Sequence, residues 1–308
     1  MSDIDAAKVK ELRERTGAGM MDAKRALVET NGDMEKAADW LRSKGLAAAA
    51  KKAGRVAADG LVAVAVKGAQ GAVIEVNSET DFVARNDKFQ DLVKAVAGVA
   101  LANGGDFDKT SAAKLTGSQK SVKDAVVDAI ATIGENIQFR RAAGLSVKQG
   151  TVFSYVHNAV KPDLGKIAVL VGLESSAPPD KLAGLGKQIA MHVAAANPQA
   201  VTPGSLDKNL VAREKSVFEE QAKASGKPAE IVAKMVEGRL RKYYGEVVLL
   251  EQLSVMDNET KISKVIEDAA KAAGAPVKVT GFVRFALGEG IEKKQEDFAA
   301  EVAAATKH

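Results

Sequence analysis

Leu61-Val-Ala-Val-Ala-Val66 and Ala72-Val-Ile-Glu-Val76 are two short apolar runs joined by the turn Lys67-Gly-Ala-Gln-Gly71. Runs of this length, rich in Val and Ile and separated by a glycine-containing turn, predict a β-hairpin. Beyond the hairpin, the apolar residues at 89, 92, 93 and 96 recur at helical spacing and predict a helix over residues 89–102. The stretch therefore predicts one unit of fold, a hairpin followed by a helix.

A second copy of this order lies further along the chain. Residues 151–157 and 166–172 predict another hairpin, and residues 180–196 predict the helix that follows it. Each copy also has a later strand, predicted at residues 137–141 and 277–287. We therefore predict an α+β fold whose core has two related subdomains, each an antiparallel sheet with helices on one face. Subdomain N covers residues 60–145, and subdomain C covers residues 146–200 and 244–287.

The first 45 residues predict a compact module of three short helices. Asn31-Gly32 suits the left-handed end of the second helix, and Asp33 suits the cap of the third. Met20 is expected to share a face with the core residues of the second helix, and at least one of Met20 and Met21 is expected to fill the core. An exposed Met would instead suit a pliable binding surface near Arg13. Residues 46–59, rich in Ala and Lys, predict a linker that is partly helical.

Two charged helices, at residues 206–224 and 228–243, predict an antiparallel helical hairpin inserted into subdomain C as residues 201–243. Pro228 suits a helix start. The seam is predicted to contain Val217, Phe218, Ile231, Met235 and Leu240. Apolar surface left over on such a hairpin favours self-association. Residues 288–308 predict a C-terminal helical module, with a helix over residues 291–305.

Composition argues against several functional classes. The chain has 44 Lys and Arg against 40 Asp and Glu, so its net charge of +4 does not indicate a strong nucleic-acid surface. Cysteine is absent, which excludes disulfides and thiol chemistry. The three histidines lack metal-ligand spacing, and His192 is expected to be a satisfied, partly buried core residue. With neither a secretion signal nor an apolar run near 20 residues, the expectation is a cytoplasmic protein without a membrane span. No cofactor is expected, because Gly184-Leu-Gly186-Lys187-Gln188 lacks the earlier glycine and the hydroxyl of a phosphate-binding loop, and no bound metal is expected either.

The junction between the first hairpin and its helix is Thr80-Asp-Phe-Val-Ala-Arg-Asn86, and two interpretations of it are open. Ser78 and Asp81 have the spacing of a capping box, and Phe82 lies one heptad before Phe89 and would join the core face of the same helix. Alternatively, Asp81 and Phe82 project from the junction as a binding element. Spacing alone favours the first interpretation.

Motifs spread along the chain resemble bacterial elongation factor Ts and follow that family's order from the first helix to the last. They are Leu12-Arg-Glu-Arg-Thr-Gly-Ala-Gly-Met-Met-Asp22, Lys51-Lys-Ala-Gly54, Ala57-Ala-Asp-Gly60, Thr80-Asp-Phe-Val83, Ile133-Gly-Glu-Asn136, Gly281-Phe-Val-Arg-Phe285 and Gly288-Glu-Gly-Ile-Glu292. The chain departs from the family pattern at Arg85, where Lys is more usual, and at Asn86, where Asp is common.

The resemblance implies a guanine-nucleotide exchange factor for the translational GTPase elongation factor Tu, with no catalytic residue and no cofactor. It implies binding to the GDP-bound and nucleotide-free GTPase, a UBA-like N-terminal module and a helical hairpin used for homodimer contacts. No direct nucleic-acid binding is expected. The role of residues 103–121 stays open.

The resemblance also assigns roles to individual residues. Thr80, Asp81, Phe82 and Val83 are expected to intrude near the partner's nucleotide site and dislodge its Mg²⁺. Further partner contacts are expected from Arg13, Met20, Met21, Lys52, Ile133, Gly134, His157, Val255, Met256, Phe298 and Val302.

Two rival functions come from other classes. A ribosome- or RNA-binding module could use the basic linker and the Arg239, Arg241 and Lys242 patch, and strong salt-dependent RNA affinity would identify it. A hydrolase would need a nucleophile, a base and an oxyanion site, and no such constellation is found in the sequence. The exchange-factor interpretation is favoured over both.

Overall fold

A computed structural model of the chain describes residues 4–224 and 226–292. The predicted C-terminal helix beyond residue 292, with Phe298 and Val302, lies outside the described residues.

The first sheet has four antiparallel strands in the order β3-β2-β1-β5. Its strands are β1 (Asp59–Lys67), β2 (Gln70–Ser78), β3 (Gln138–Ser146) and the short β5 (Leu164–Gly165). Gly68 opens the two-residue turn between β1 and β2 with φ +58°, a left-handed conformation that glycine adopts without steric cost. The predicted hairpin and the third strand are confirmed, whereas β5 joins this sheet from the loop of the second hairpin and was not predicted.

The second sheet has three antiparallel strands in the order β4-β6-β7. These are β4 (Gly150–His157), β6 (Ile167–Glu174) and β7 (Lys278–Ala286), close to the predicted bounds.

One face of each sheet packs against the other sheet. Val62, Val64 and Val73 from the first sheet share a buried cluster with Val152 and Leu170 from the second. In β1 the alternate residues, such as Leu61 and Ala63, point to a different cluster on the helix side. Both faces of the strand are therefore covered, which explains its nearly continuous apolar sequence.

Helices cover the outer face of each sheet, as predicted. The first sheet carries α4 (Asp81–Ala84), α5 (Asp87–Ala102), α6 (Phe107–Ala112) and α7 (Val122–Ile133). The second carries α8 (Pro179–Ala196) and α11 (Ile262–Ala273). A Cβ at Gly186 would lie 2.2 Å from the Phe153 ring, so this glycine is what allows α8 to approach β4 so closely.

The N-terminal module consists of α1 (Ala6–Thr16), α2 (Met20–Glu29) and α3 (Met34–Lys52). The predicted left-handed pair Asn31 and Gly32 is confirmed at φ +53° and +80°, and the Asp33 carboxylate caps α3 by accepting from the Glu35 and Lys36 amides. The predicted core role for Met20 or Met21 is wrong, because their exposed fractions are 58% and 70%. Small residues fill the space instead, since Ala23, Ala26 and Ala37 are fully buried around Leu12 and Leu27.

Helix α3 is longer than the three-helix module suggested. It continues through Lys52, so the first half of the predicted linker extends the module's third helix, and the prediction that this linker is partly helical is confirmed. The alanine-rich sequence explains this continuity, because Ala and Lys are both good helix formers. Gly45 is buried where α3 passes α7.

The inserted hairpin is formed by α9 (Lys208–Lys223) and α10 (Ala229–Val247). Ala222 and Val236 are its buried residues, whereas the predicted seam residues Val217 and Ile231 are 39% and 45% exposed. Val217 and Ile231 were therefore assigned wrongly, while Phe218, Met235 and Leu240 are half-buried. The α+β class is confirmed, and within the described ranges the structure has no helix long and apolar enough to cross a membrane.

Candidate functional site

The junction carries a four-residue segment that we call the tip: Thr80, Asp81, Phe82 and Val83. Asp81 and Phe82 are exposed, Thr80 is half-buried and Val83 is buried. Strand β2 ends at Ser78, α4 begins at Asp81, and α5 starts separately at Asp87. Asn86 separates the two helices, because its side chain accepts hydrogen bonds from the Lys88 and Phe89 amides and caps α5.

This break contradicts the capping-box interpretation. The Ser78 hydroxyl donates to the Thr80 carbonyl at 3.0 Å, so it does not cap the helix. Phe82 does not join the core with Phe89, since 76% of Phe82 is exposed and Phe89 is fully buried. The seven-residue spacing does not place the two aromatic side chains on one helix face, because a helix boundary lies between them.

The tip rests on a buried support. Val83 and Ala84 belong to the core cluster that contains Phe89. The Gln90 side-chain amide donates to the Ala84 carbonyl at 2.8 Å in a buried hydrogen bond. Phe82 is therefore a large apolar side chain held in solvent by residues that are themselves fixed.

Asp81 presents a carboxylate beside Phe82. Among the described residues, Asp81 forms an ion pair with Arg85 alone. Arg85 Nη2 lies 3.3 Å from Asp81 Oδ2. Both side chains are largely exposed, and exposed i,i+4 pairs of this kind contribute well under about 1 kcal/mol. A partner could accordingly replace the Arg85 contact at small energetic cost.

The tip is braced from the end of α7. The Glu135 carboxylate accepts two hydrogen bonds from Thr80, one from the backbone amide at 3.0 Å and one from the hydroxyl at 2.6 Å. The Asn136 amide donates in turn to the Glu79 carboxylate at 2.5 Å. Ile133 ends α7, Gly134 closes it at φ +90°, and both immediately precede Glu135 in the chain.

The end of α3 reaches the same place. The buried Asn136 side chain donates to the Arg55 carbonyl at 2.7 Å, and the Arg55 guanidinium lies 3.5 Å from the Glu79 carboxylate. Arg55 in turn donates its amide to the Lys52 carbonyl. Lys52 therefore lies one turn away from the network that holds the tip.

Subdomain C contributes two further exposed groups. His157 ends β4 with its Nδ1 3.1 Å from the Tyr155 hydroxyl, and Lys161 in the following loop pairs with Asp87 at 2.6 Å. Val255 and Met256 lie on a separate exposed loop, with 61% of Met256 accessible.

The loop of Val255 and Met256 is held by His192. The Val255 amide donates to His192 Nδ1 at 3.3 Å, so the neutral ring carries its proton on Nε2 and donates it to Gln252 Oε1 at 2.9 Å. Burial lowers the pKa of His192, and the Gln252 contact only partly offsets this. The prediction that the hydrogen bonds of His192 are satisfied is confirmed, although the side chain is fully rather than partly buried.

The remaining predicted site residues lie on the N-terminal module. Arg13 on α1 and Met20 and Met21 at the start of α2 are all exposed. The structure thus presents three exposed regions: the tip with Ile133 and Gly134, the module surface, and the loops of subdomain C.

Sequence reasoning missed the residues that hold the tip, chiefly Glu135, Glu79 and Arg55. A signal was present, because Glu79-Thr80 and Glu135-Asn136 each place a carboxylate next to a hydrogen-bonding residue. The pairing is hidden because 55 residues separate Thr80 from Glu135. In the part of the chain that the structure describes, no group of three or more His, Asp or Glu side chains could hold a metal ion.

Comparison with known proteins agrees with the resemblance seen in the motifs. Residues 79–289 match the family model described as Elongation factor TS. Elongation factor Ts of Rhodospirillum rubrum is 61% identical over 308 residues, covering 100% of both chains. Elongation factor Ts of Rhodospirillum centenum is 61% identical over 98% of this chain and 99% of that protein, and the one of Bartonella bacilliformis is 57% identical over 99% of each. A model that covers more than half the chain, together with full-length relatives at this identity, shows that the chain belongs to the elongation factor Ts family of translation factors.

Proposed function

We propose that this protein binds elongation factor Tu in its GDP-bound form and accelerates the exchange of GDP for GTP. Family membership supports the partner, and the exposed Asp81 and Phe82 on a buried support are the observation that carries the mechanism. In this proposal the protein acts in the cytoplasm by binding alone and makes or breaks no covalent bond.

The driving force is a difference in affinity. A factor that binds the nucleotide-free GTPase more tightly than the GDP complex must weaken GDP binding by the same ratio, because the two equilibria are linked. Asp81 and Phe82 are suited to this task because both side chains are exposed before the partner arrives. Little ordering is needed on binding, so more of the contact energy is available to oppose GDP.

The two tip side chains have different roles in this mechanism. Phe82 supplies apolar area, and full burial in the partner would contribute about 1.5 to 3 kcal/mol. Asp81 supplies an acceptor and a negative charge that orient the intrusion near the nucleotide. Displacement of the partner's Mg²⁺ then removes charge neutralisation from the phosphates of GDP and promotes its release.

The other exposed regions would extend the contact. Ile133 and Gly134 adjoin the tip, Arg13, Met20 and Met21 offer a pliable surface on the UBA-like module, and the loops of subdomain C offer His157, Val255 and Met256. Phe298 and Val302 are proposed to contact the same GTPase. The helical hairpin, with exposed Val217 and Ile231, is proposed to serve homodimer contacts.

The test is the rate of labelled-GDP release from elongation factor Tu. The wild-type chain is expected to speed release greatly, and Asp81→Ala with Phe82→Ala is expected to remove most of the acceleration while the fold persists. Phe107→Ala with Asp108→Ala is the control, because it removes a second Phe-Asp pair at the start of a short helix. Circular dichroism checks that its fold persists, since Phe107 stacks on Phe139 with 4.8 Å between ring centroids. That control should exchange at nearly the wild-type rate.

The outcomes separate the function from the tip. No acceleration by the wild-type chain would sink the exchange function. Normal acceleration by the Asp81 and Phe82 double variant would leave the function standing and remove the tip from the mechanism.

A further inference from the structure

We propose that Glu135 is a positioning residue for nucleotide exchange, holding Thr80 so that Asp81 and Phe82 meet the partner in a fixed orientation. This inference rests on the proposed exchange function. Glu135 would not touch the partner's nucleotide site and would act by holding the tip.

The contact is specific in its geometry. One Glu135 oxygen accepts the Thr80 amide at 3.0 Å, and the other accepts the Thr80 hydroxyl at 2.6 Å. Both are hydrogen bonds to an ionised acceptor, which are shorter and stronger than bonds between neutral groups. Both are part-buried, so competition from water is reduced.

The contact is also reciprocal. Glu79, the neighbour of Thr80, accepts a hydrogen bond from the amide of Asn136, the neighbour of Glu135. The exit of β2 and the exit of α7 therefore hold each other through two carboxylates and two backbone amides. Asn136 is 2% exposed, and its side chain also donates to the Arg55 carbonyl. This second hydrogen bond fixes Asn136 in place.

The tip needs such support because α4 has only four residues. One turn of helix is unstable by itself, since few hydrogen bonds offset the ordering of the backbone. The Thr80 hydroxyl bonds to Glu135 and is therefore not used as a helix cap. The direction of Phe82 thus depends on what holds Thr80 from one side and Val83 and Ala84 from the other.

Three variants test the role. Glu135→Ala removes both acceptors. Glu135→Gln retains the shape and still allows its oxygen to accept the Thr80 amide while its amide donates to the Thr80 hydroxyl. Glu174→Ala is the matched control, because Glu174 is another half-buried carboxylate that accepts a backbone amide, that of Lys148, outside the tip.

The exchange assay is run against factor concentration, so that the maximum rate and the half-saturating concentration are separated. Glu135→Ala is expected to lower the maximum rate about 10-fold, as for two lost hydrogen bonds, with a smaller change in the half-saturating concentration because the other surfaces still bind. Glu135→Gln should recover most of the rate, and Glu174→Ala should match the wild type. A variant that is only destabilised would have a smaller folded fraction. It would therefore have a higher half-saturating concentration but would still reach the wild-type maximum rate of GDP release.

Hydrogen exchange of the free protein supplies a second readout. The amides of residues 80–84 should exchange faster in Glu135→Ala than in the wild type, and not in Glu135→Gln or Glu174→Ala. Wild-type rates and wild-type protection in Glu135→Ala would overturn the positioning role alone. A wild-type chain that fails to accelerate GDP release would overturn the exchange function and, with it, the role of Glu135 in exchange.

Discussion

At the scale of single residues, the contrast between Phe82 and Phe89 carries the most information. They are seven positions apart, which on one helix would place both on the same face. Asn86 caps a new helix between them, so Phe89 enters the core and Phe82 stays in solvent. The helix boundary at Asn86 thus separates a buried aromatic side chain from an exposed one.

The same substitution should therefore affect stability at one position and nucleotide exchange at the other. Phe89→Ala is expected to lower the free energy of unfolding by about 3 to 5 kcal/mol, because it opens a cavity in the core. Phe82→Ala is expected to change it by less than about 0.5 kcal/mol, as for most surface positions, yet to slow GDP release strongly. Urea unfolding and labelled-GDP release, measured on both variants, give the two quantities. A large loss of stability in Phe82→Ala would contradict the exposed position of the ring.

The conformation of a residue could be predicted from sequence where it depends on its near neighbours in the chain. Asp33 caps α3 and Asn31-Gly32 turns left-handed for reasons contained in a few neighbouring residues. The exposure of Met20 depends instead on how three helices meet, and the contact of Glu135 with Thr80 depends on pairing across 55 residues. Such facts require the tertiary structure.

At the scale of elements, His192 ties helix α8 to the loop of Val255 and Met256. Its Nδ1 can accept the Val255 amide only while the ring is neutral. Protonation would remove that acceptor and place a charge in a fully buried position. Burial therefore keeps the pKa of His192 below its ordinary value of 6.5.

A pH dependence of stability follows from this. As pH falls below about 6.5, the unfolded chain binds a proton at His192 that the folded chain does not, so the free energy of unfolding should decrease, by at most about 1.4 kcal/mol per pH unit for one group. Above this range the contribution should be constant. His192→Gln should have a shallower decrease between pH 7 and pH 5, whatever its stability at pH 8. Equal slopes in urea unfolding of the two proteins would contradict the shift.

The elements themselves were largely predictable, and the exceptions have physical causes. Strands such as β2 and β6 are apolar runs between turns, so their positions follow from sequence. Helix α3 continues beyond the N-terminal module to Lys52, because an alanine-rich segment remains helical unless a helix-breaking residue interrupts it. The two residues of β5 are too short to give a periodic signal, and they pair with β1 only because the subdomains meet.

At the scale of the whole molecule, the two sheets are joined by a shared core cluster and by a buried charge. The fully buried Glu75 on β2 accepts hydrogen bonds from Arg140 and Arg141 on β3 and from the Gly288 amide after β7. Burial by itself raises the pKa of Glu75, but the Gly288 amide, the Asn77 side chain and Arg141 outweigh it, so the pKa lies below the ordinary value. The carboxylate is therefore charged at neutral pH and joins strands of both sheets.

Two carboxylates on the same guanidinium allow this connection to be tested. Arg141 pairs with buried Glu75 at 2.5 Å and with half-exposed Glu289 at 3.4 Å. Glu75→Ala should lower the free energy of unfolding by about 3 to 5 kcal/mol, because the Gly288 amide and the part-buried guanidinium groups of Arg140 and Arg141 lose the acceptor that they share. Glu289→Ala should cost less than about 1 kcal/mol, as for other solvent-exposed pairs. Because Glu75 binds segments of both sheets, its loss should shift the whole urea transition rather than one part of it. Far-ultraviolet circular dichroism follows that transition. Similar losses for the two variants would show that burial is not what makes the Glu75 contact strong.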